Sequence, residues 1–74
     1  MKIWVTIEFS DGTLRYVNRS HSEDMAIKVA VQIMKVTWPD FSNNKEKVYV
    51  EGLKEYGSIH SEISDSHIFV TELE

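Results

Sequence analysis

The clearest hydrophobic pattern in the chain lies in residues 22–38, where apolar side chains recur with the period of a helix. This spacing places them on one face of an amphipathic helix. Either Ser22, followed by two acidic residues in the first turn, or Ser20, in a capping box with Glu23, would cap the start of the helix. Pro39 ends the helix because its ring lacks an N–H donor and disfavours helical geometry at the residue before it. The predicted core-facing positions are Ala26, Val29, Ala30, Ile33 and Met34.

The apolar sector of this helix is wider than one sheet needs. Met25, Ile27, Val31 and Val36 extend the sector to roughly 240°, against about 100° or more for an ordinary surface helix. Three arrangements would cover the surplus: a sheet that curls around the helix, loops that fold over it, or a second protein molecule. The pattern alone leaves all three open.

Residues 2–9 alternate strictly between apolar and more polar positions, which predicts a half-buried strand. We expect the apolar side of this strand to face the helix. Asp11-Gly12 then supplies the two positive-φ positions of a type I′ hairpin turn. The apolar side consists of Ile3, Val5, Ile7 and Phe9.

A two-residue turn sets the register of the hairpin. Counting back from the turn, Ser10 opposes Thr13 and Phe9 opposes Leu14, and on the other face Glu8 opposes Arg15 and Trp4 opposes Arg19. These outer pairs would stabilise an exposed hairpin face through an ion pair and a cation–π contact. They would alternatively form a contact patch, because Trp and Arg often anchor interfaces, or stack on single-stranded bases.

The pattern in the second half of the chain predicts loops and further strands. Residues 39–47 are polar and predict a loop, Val48 to Val50 predict a third strand, and residues 52–57 form either a wide turn or part of a bulged strand. Residues 58–63 alternate again. Residues 64–66 (Ser-Asp-Ser) predict a turn before the last strand.

The last strand, residues 67–73, is apolar on both faces. Ile68 and Val70 point one way, and Phe69 and Leu73 point the other. Strands of this kind are usually covered on both sides, but one helix covers only one side. We therefore expect Phe69 and Leu73 to contact a partner, either a second copy of the chain or a different protein.

These elements predict one α+β domain over residues 1–74. Its antiparallel sheet would have four to five strands in the order ββαββ, packed on one helix. The expected inner face of the domain comprises Ile3, Val5, Ile7, Phe9, Leu14, Tyr16, Ala26, Val29, Ala30 and Ile33.

Composition and charge narrow the range of functions. The 74 residues include no cysteine, which excludes disulfides and thiolate chemistry and favours a reducing compartment. The net charge is −4, and residues 39–74 carry eight acidic and three basic side chains, a balance that repels phosphate backbones. No signal-peptide core and no apolar run of about 18 residues is present, so we expect a cytoplasmic protein without a membrane span.

Little in the sequence suggests catalysis. His60-x-Glu62 and Asp65-x-His67 offer metal-binding side-chain types, but their spacing matches no zinc or calcium loop, and each of the three glycines is explained by a turn. We therefore expect no catalytic site, no metal and no cofactor. A hydrolase or metal-dependent activity around His60, Glu62 and His67 remains as a separate hypothesis, ranked below the two binding hypotheses given next.

The plan resembles small ββαββ proteins of phages and other mobile elements, including some anti-CRISPR inhibitors. The residues that carry this resemblance are Asp11, Gly12, Ser22, Asp24, Ala26, Ala30 and Trp38. The resemblance implies a short cytosolic protein that acts by stoichiometric docking, and it carries over no functional residue. The surplus of apolar surface and the lack of catalytic groups in the sequence make the leading hypothesis a binding module that modulates or inhibits a protein partner, either as a monomer or as a homodimer. The alternative is association with nucleic acid through Trp4, Arg15 and Arg19.

Overall fold

The computed structural model describes residues 2–61 and 63–73. Its strands form one antiparallel sheet in the order β2-β1-β4-β3. The α+β class is confirmed, but the chain has a second helix, so its order is ββααββ rather than ββαββ. The elements are β1 (Ile3–Ser10), β2 (Thr13–Ser20), α1 (Glu23–Thr37), α2 (Asn43–Tyr56), β3 (Ser58–His60) and β4 (Ser66–Leu73).

The β1–β2 hairpin turns as predicted but shifts register beyond the turn. Asp11 and Gly12 have φ angles of 53° and 77°, the positive values that a type I′ turn requires. The pairs next to the turn are the expected ones. One extra residue, Arg15, then forms a bulge, so that Glu8 pairs with Tyr16 and Trp4 pairs with Ser20. The predicted pairs of Glu8 with Arg15 and of Trp4 with Arg19 are therefore wrong.

The predicted helix is confirmed as α1. The Ser22 hydroxyl accepts a hydrogen bond of 3.2 Å from the Met25 backbone N–H, which caps the first turn. Ala26, Ala30 and Met34 are completely buried along its inner face. At the other end Trp38, the residue before Pro39, leaves the helical conformation.

Residues 43–56 form α2, so the predicted loop and third strand in this region are wrong. Tyr49 and Leu53, one helical turn apart, are buried in the core. Gly57 ends the helix in the left-handed conformation, with φ of 77°, and its N–H donates to the Leu53 carbonyl. Because Ile27 and Val31 of α1 are buried in the same core, a second helix of the chain itself covers part of the apolar surplus.

Both helices pack on one face of the sheet, where Ile68 and Val70 of β4 join the same core. The side of β1 that meets them is the side with Thr6 and Glu8. The Thr6 hydroxyl donates a 2.8 Å hydrogen bond to the Ala26 carbonyl, and the Glu8 carboxyl accepts a 2.9 Å bond from the Trp38 indole. The prediction that the apolar side of β1 faces the helix is therefore wrong, and that side points away from both helices.

The remaining predictions for the inner face divide between the two sides of the sheet. The helical positions are correct: Ala26, Ala30 and Ile33 are buried, and Val29 packs partly against the core. Of the β2 positions, Leu14 pairs with Phe9 and shares its outward face. Tyr16 pairs with Glu8 on the helix side, but it is 40% exposed at the edge of the sheet.

Candidate functional site

The sheet face opposite the helices is the largest apolar feature that the fold leaves without a helix, and we call it the open face. Its residues follow from the alternation along each strand and from the pairing between strands. Val5 illustrates the separation of the two sides, since it is buried at the centre of β1 but is not part of the core. The open face comprises Ile3, Val5, Ile7, Phe9, Leu14, Val17, Arg19, Ser58, His60, His67, Phe69, Thr71 and Leu73.

The open face is apolar, accessible and nearly free of fixed charge. Leu14, Val17, Phe69 and Leu73 are 51%, 58%, 38% and 53% exposed. Among the described residues, strand pairing places one charged side chain on it, Arg19, and Asp65 lines a cleft at its corner with Phe9 and Phe69. Three strands of eight residues cover about 26 by 14 Å and the three-residue β3 adds about 10 by 5 Å, so the face has a projected area of roughly 400 Å². The largest apolar patch of a typical monomer is about 300–600 Å², and such a patch is often functional.

Aromatic and imidazole rings form a continuous row at one corner of the open face. The Phe9 and Phe69 rings meet edge to face with their centroids 6.0 Å apart. Phe69 stacks on His67 at 6.3 Å, and the rings of His67 and His60 lie 4.3 Å apart. Aromatic side chains supply much of the binding energy in protein interfaces, so this corner is suited to anchoring a partner.

The structure separates the residues that the sequence proposed for binding. Phe69, Leu73 and Arg19 lie on the open face. Trp4 lies on the helix side, where it packs partly buried against the core, and Arg15 is exposed at the bulge. The structure thus does not bring Trp4, Arg15 and Arg19 together on one surface.

A histidine–aspartate cluster lies at the edge of the same corner. Potential ligand atoms of His60, Asp65 and His67 all lie within 4.8 Å of one another, and the Nε2 atom of His67 is 3.7 Å from Oδ1 of Asp65. Glu62, which the sequence also proposed, lies outside the described residues. The sequence offered all three side chains as metal-binding types but did not show that they meet, because Asp65 and His60 come together only through the pairing of β3 with β4.

Two other carboxyl groups are engaged in structural contacts. The buried carboxyl of Glu8 accepts hydrogen bonds from Trp38 and from the Thr37 hydroxyl. The Asp40 carboxyl, whose side chain is 6% exposed, accepts hydrogen bonds from the hydroxyls of Ser61 and Tyr49. These contacts link the α1–α2 connection to the sheet, so we assign both carboxyls to stability rather than chemistry.

Among the described residues, neither helix has the length and apolar character needed to cross a membrane. Comparison with known proteins found no matching family model, no matching curated protein and no matching solved structure. The resemblance to small phage proteins therefore stays a prediction.

Proposed function

We propose that this protein is a non-catalytic binding module. Its open face docks on a flat, apolar and uncharged surface of a different protein, and it modulates or inhibits that protein by occupying the surface. The observation that carries the proposal is the orientation of β1: its more apolar side points away from the two helices of its own chain.

This orientation is informative because the opposite one would bury more apolar surface. Thr6 and Glu8 occupy positions at the core, where each needs a hydrogen-bonding partner from α1 or the residue after it. Ile7 and Phe9, one position along, remain partly accessible on the open face. A sequence that keeps polar groups inside and apolar groups outside is explained if the outer face is buried by a partner.

The low charge of the open face favours a protein partner over nucleic acid. Nucleic-acid binding depends on several Lys or Arg side chains that neutralise phosphates. Among the described residues that strand pairing places on this face, Arg19 is the one such side chain, and the whole chain carries a net charge of −4. A protein surface with few charges avoids the cost of removing water from unpaired ions.

Site-specific photo-crosslinking in the native cell tests the proposal. A photoreactive amino acid replaces Val17 on the open face, and the matched control replaces Val48, which is 65% exposed on α2. We expect a discrete adduct with a different protein from position 17 and none from position 48. The identified protein is then purified and its binding measured by calorimetry.

The calorimetric experiment uses two charged variants. Leu14→Asp on the open face should weaken binding at least about tenfold, because a buried unpaired carboxylate is costly in an interface. Val48→Asp should leave binding unchanged. Equal adducts from both positions, or equal effects of both variants, would refute the role of the open face. An adduct of two copies of the 8.6 kDa chain would assign the face to self-association and overturn the different partner.

A further inference from the structure

The pairing of β3 with β4 holds two histidines in the closest arrangement that a sheet provides. The Ser61 N–H donates to the Ser66 carbonyl at 3.0 Å, and the Val70 N–H donates to the Gly57 carbonyl at 2.9 Å. Hydrogen-bonded and non-hydrogen-bonded pairs alternate along an antiparallel ladder, so the His60–His67 pair between these bonds is a non-hydrogen-bonded one. Side chains of such pairs approach most closely, in agreement with the 4.3 Å between the two rings.

Asp65 reaches the same point from the turn before β4. Its backbone carbonyl accepts a 2.8 Å hydrogen bond from the Asp11 N–H, which ties this turn to the turn of the β1–β2 hairpin. Its Oδ1 atom lies 3.7 Å from Nε2 of His67, and the ligand atoms of all three side chains lie within 4.8 Å of one another. Backbone positions fixed by two hairpins therefore present two imidazoles and one carboxylate to a common point.

We propose that His60, Asp65 and His67 bind a divalent transition-metal ion of the zinc type. With metal–ligand distances of 2.0–2.2 Å, neighbouring ligand atoms of a tetrahedral zinc ion lie roughly 3.3 Å apart. The three side chains reach this separation by small rotations, and the exposure of His60 and Asp65 leaves room for such rotations. Two imidazole nitrogens favour Zn²⁺, Ni²⁺ or Cu²⁺ over Ca²⁺ and Mg²⁺, which prefer oxygen ligands.

Three protein ligands leave one tetrahedral position for a further donor. Asp65 and His67 also line a shallow cleft together with Phe9 and Phe69. Water or a side chain of a bound molecule would complete the coordination. His60 and His67 belong to the open face, but the metal site rests on its own ligands and does not depend on a protein partner.

Titration calorimetry with ZnCl₂ in a weakly coordinating buffer at neutral pH tests the site. We expect one equivalent of Zn²⁺ to bind, with no heat from MgCl₂ or CaCl₂. His60→Ala and His67→Ala should each weaken zinc binding by at least about tenfold, since even indirect supports of a metal site commonly contribute that much. Asp65→Asn should weaken it as well. The matched control is His21→Ala, an exposed histidine outside the cluster, which should bind zinc like the unmodified protein.

Two readouts separate a metal site from a change in folding. Far-UV circular dichroism should be the same for all variants, because the substituted side chains lie at the surface. Co²⁺ substitution should give the intense visible absorption of a tetrahedral site in the unmodified protein and not in His60→Ala. Absence of one-to-one zinc binding would overturn the proposal, and so would an equal loss of affinity in His21→Ala. Neither outcome bears on crosslinking from Val17.

Discussion

Replacing Thr6 by valine tests directly which side of β1 meets the helices. Thr6 is completely buried, and its hydroxyl donates a 2.8 Å hydrogen bond to the Ala26 carbonyl of α1. Valine has nearly the same shape, so the change removes the hydrogen bond and leaves packing almost intact. A hydrogen bond of this kind contributes about 0.5–1.5 kcal/mol net, and we expect Thr6→Val to lower the free energy of unfolding by about 1 kcal/mol.

The expected loss is large for a domain of this size. At about 0.05–0.15 kcal/mol per residue, a chain of 74 residues has a free energy of unfolding of roughly 4–11 kcal/mol. A loss of 1 kcal/mol should lower the melting temperature by about 4–8 °C. The matched control is Thr71→Val on the open face, where Thr71 is exposed, and its effect should stay within about 0.5 kcal/mol.

Urea and thermal unfolding followed by circular dichroism at 222 nm would measure both variants. If the apolar side of β1 faced the helices instead, Thr6 would be at the surface, and valine there would be neutral or mildly stabilising because it favours strands. Equal stabilities of Thr6→Val and Thr71→Val would therefore refute the assignment of the two faces. The open face as a docking surface would be refuted with it.

Two further predictions concern the ends of the helices. Ser22→Ala should lower the free energy of unfolding by about 0.5–2 kcal/mol because it removes the cap of α1. Ser42→Ala should lower it less, since the Ser42 side chain makes no capping hydrogen bond with the described residues. Urea unfolding measures both variants. Gly57→Ala should cost about 1–2 kcal/mol, because its positive φ strains any Cβ and that atom would lie 3.4 Å from the Val70 carbonyl oxygen. An unchanged unfolding midpoint would contradict this strain.

The elements that the sequence predicted correctly are those with local causes. The type I′ turn needs two neighbouring residues that tolerate positive φ, and Asp11-Gly12 supplies them. The start of α1 depends on a cap three residues from its target, and its end depends on the following Pro39. Such features lie within a few residues, so a sequence pattern contains everything that determines them.

The sequence predicts a strand where α2 lies, because the residue preferences of this region favour a strand while the spacing of its buried side chains is that of a helix. Val48 and Val50 favour strands, and Gly52 is unfavourable inside a helix. The signal for a helix was present in the four-residue spacing of Tyr49 and Leu53, followed by a glycine in the position of a left-handed C-cap. Packing of those two side chains against α1 and the sheet outweighs the weak local preferences.

The orientation of the sheet and the histidine corner could not be read from local patterns. The extra residue in β2 changes every pair beyond it, and nothing near Arg15 in the sequence indicates a bulge. Likewise, the cluster of His60 and Asp65 depends on the register between β3 and β4. The alternation of β1 correctly predicted a strand with an apolar side. It could not show that the polar side would find partners in α1 and Trp38.

The sequence has more apolar positions than one helix on one sheet needs, both on α1 and on the last strand, and the structure explains the two cases differently. On α1, the residues Ile27 and Val31 are buried in a core completed by α2, so the chain covers part of that surplus itself. On the sheet, Phe69 and Leu73 point away from both helices. The second helix therefore accounts for part of the apolar surplus on α1, whereas neither helix covers the apolar surplus on the sheet. Because that remaining surface is the proposed docking site, charged substitutions there should weaken partner binding, whereas equivalent changes on α2 should leave it unchanged.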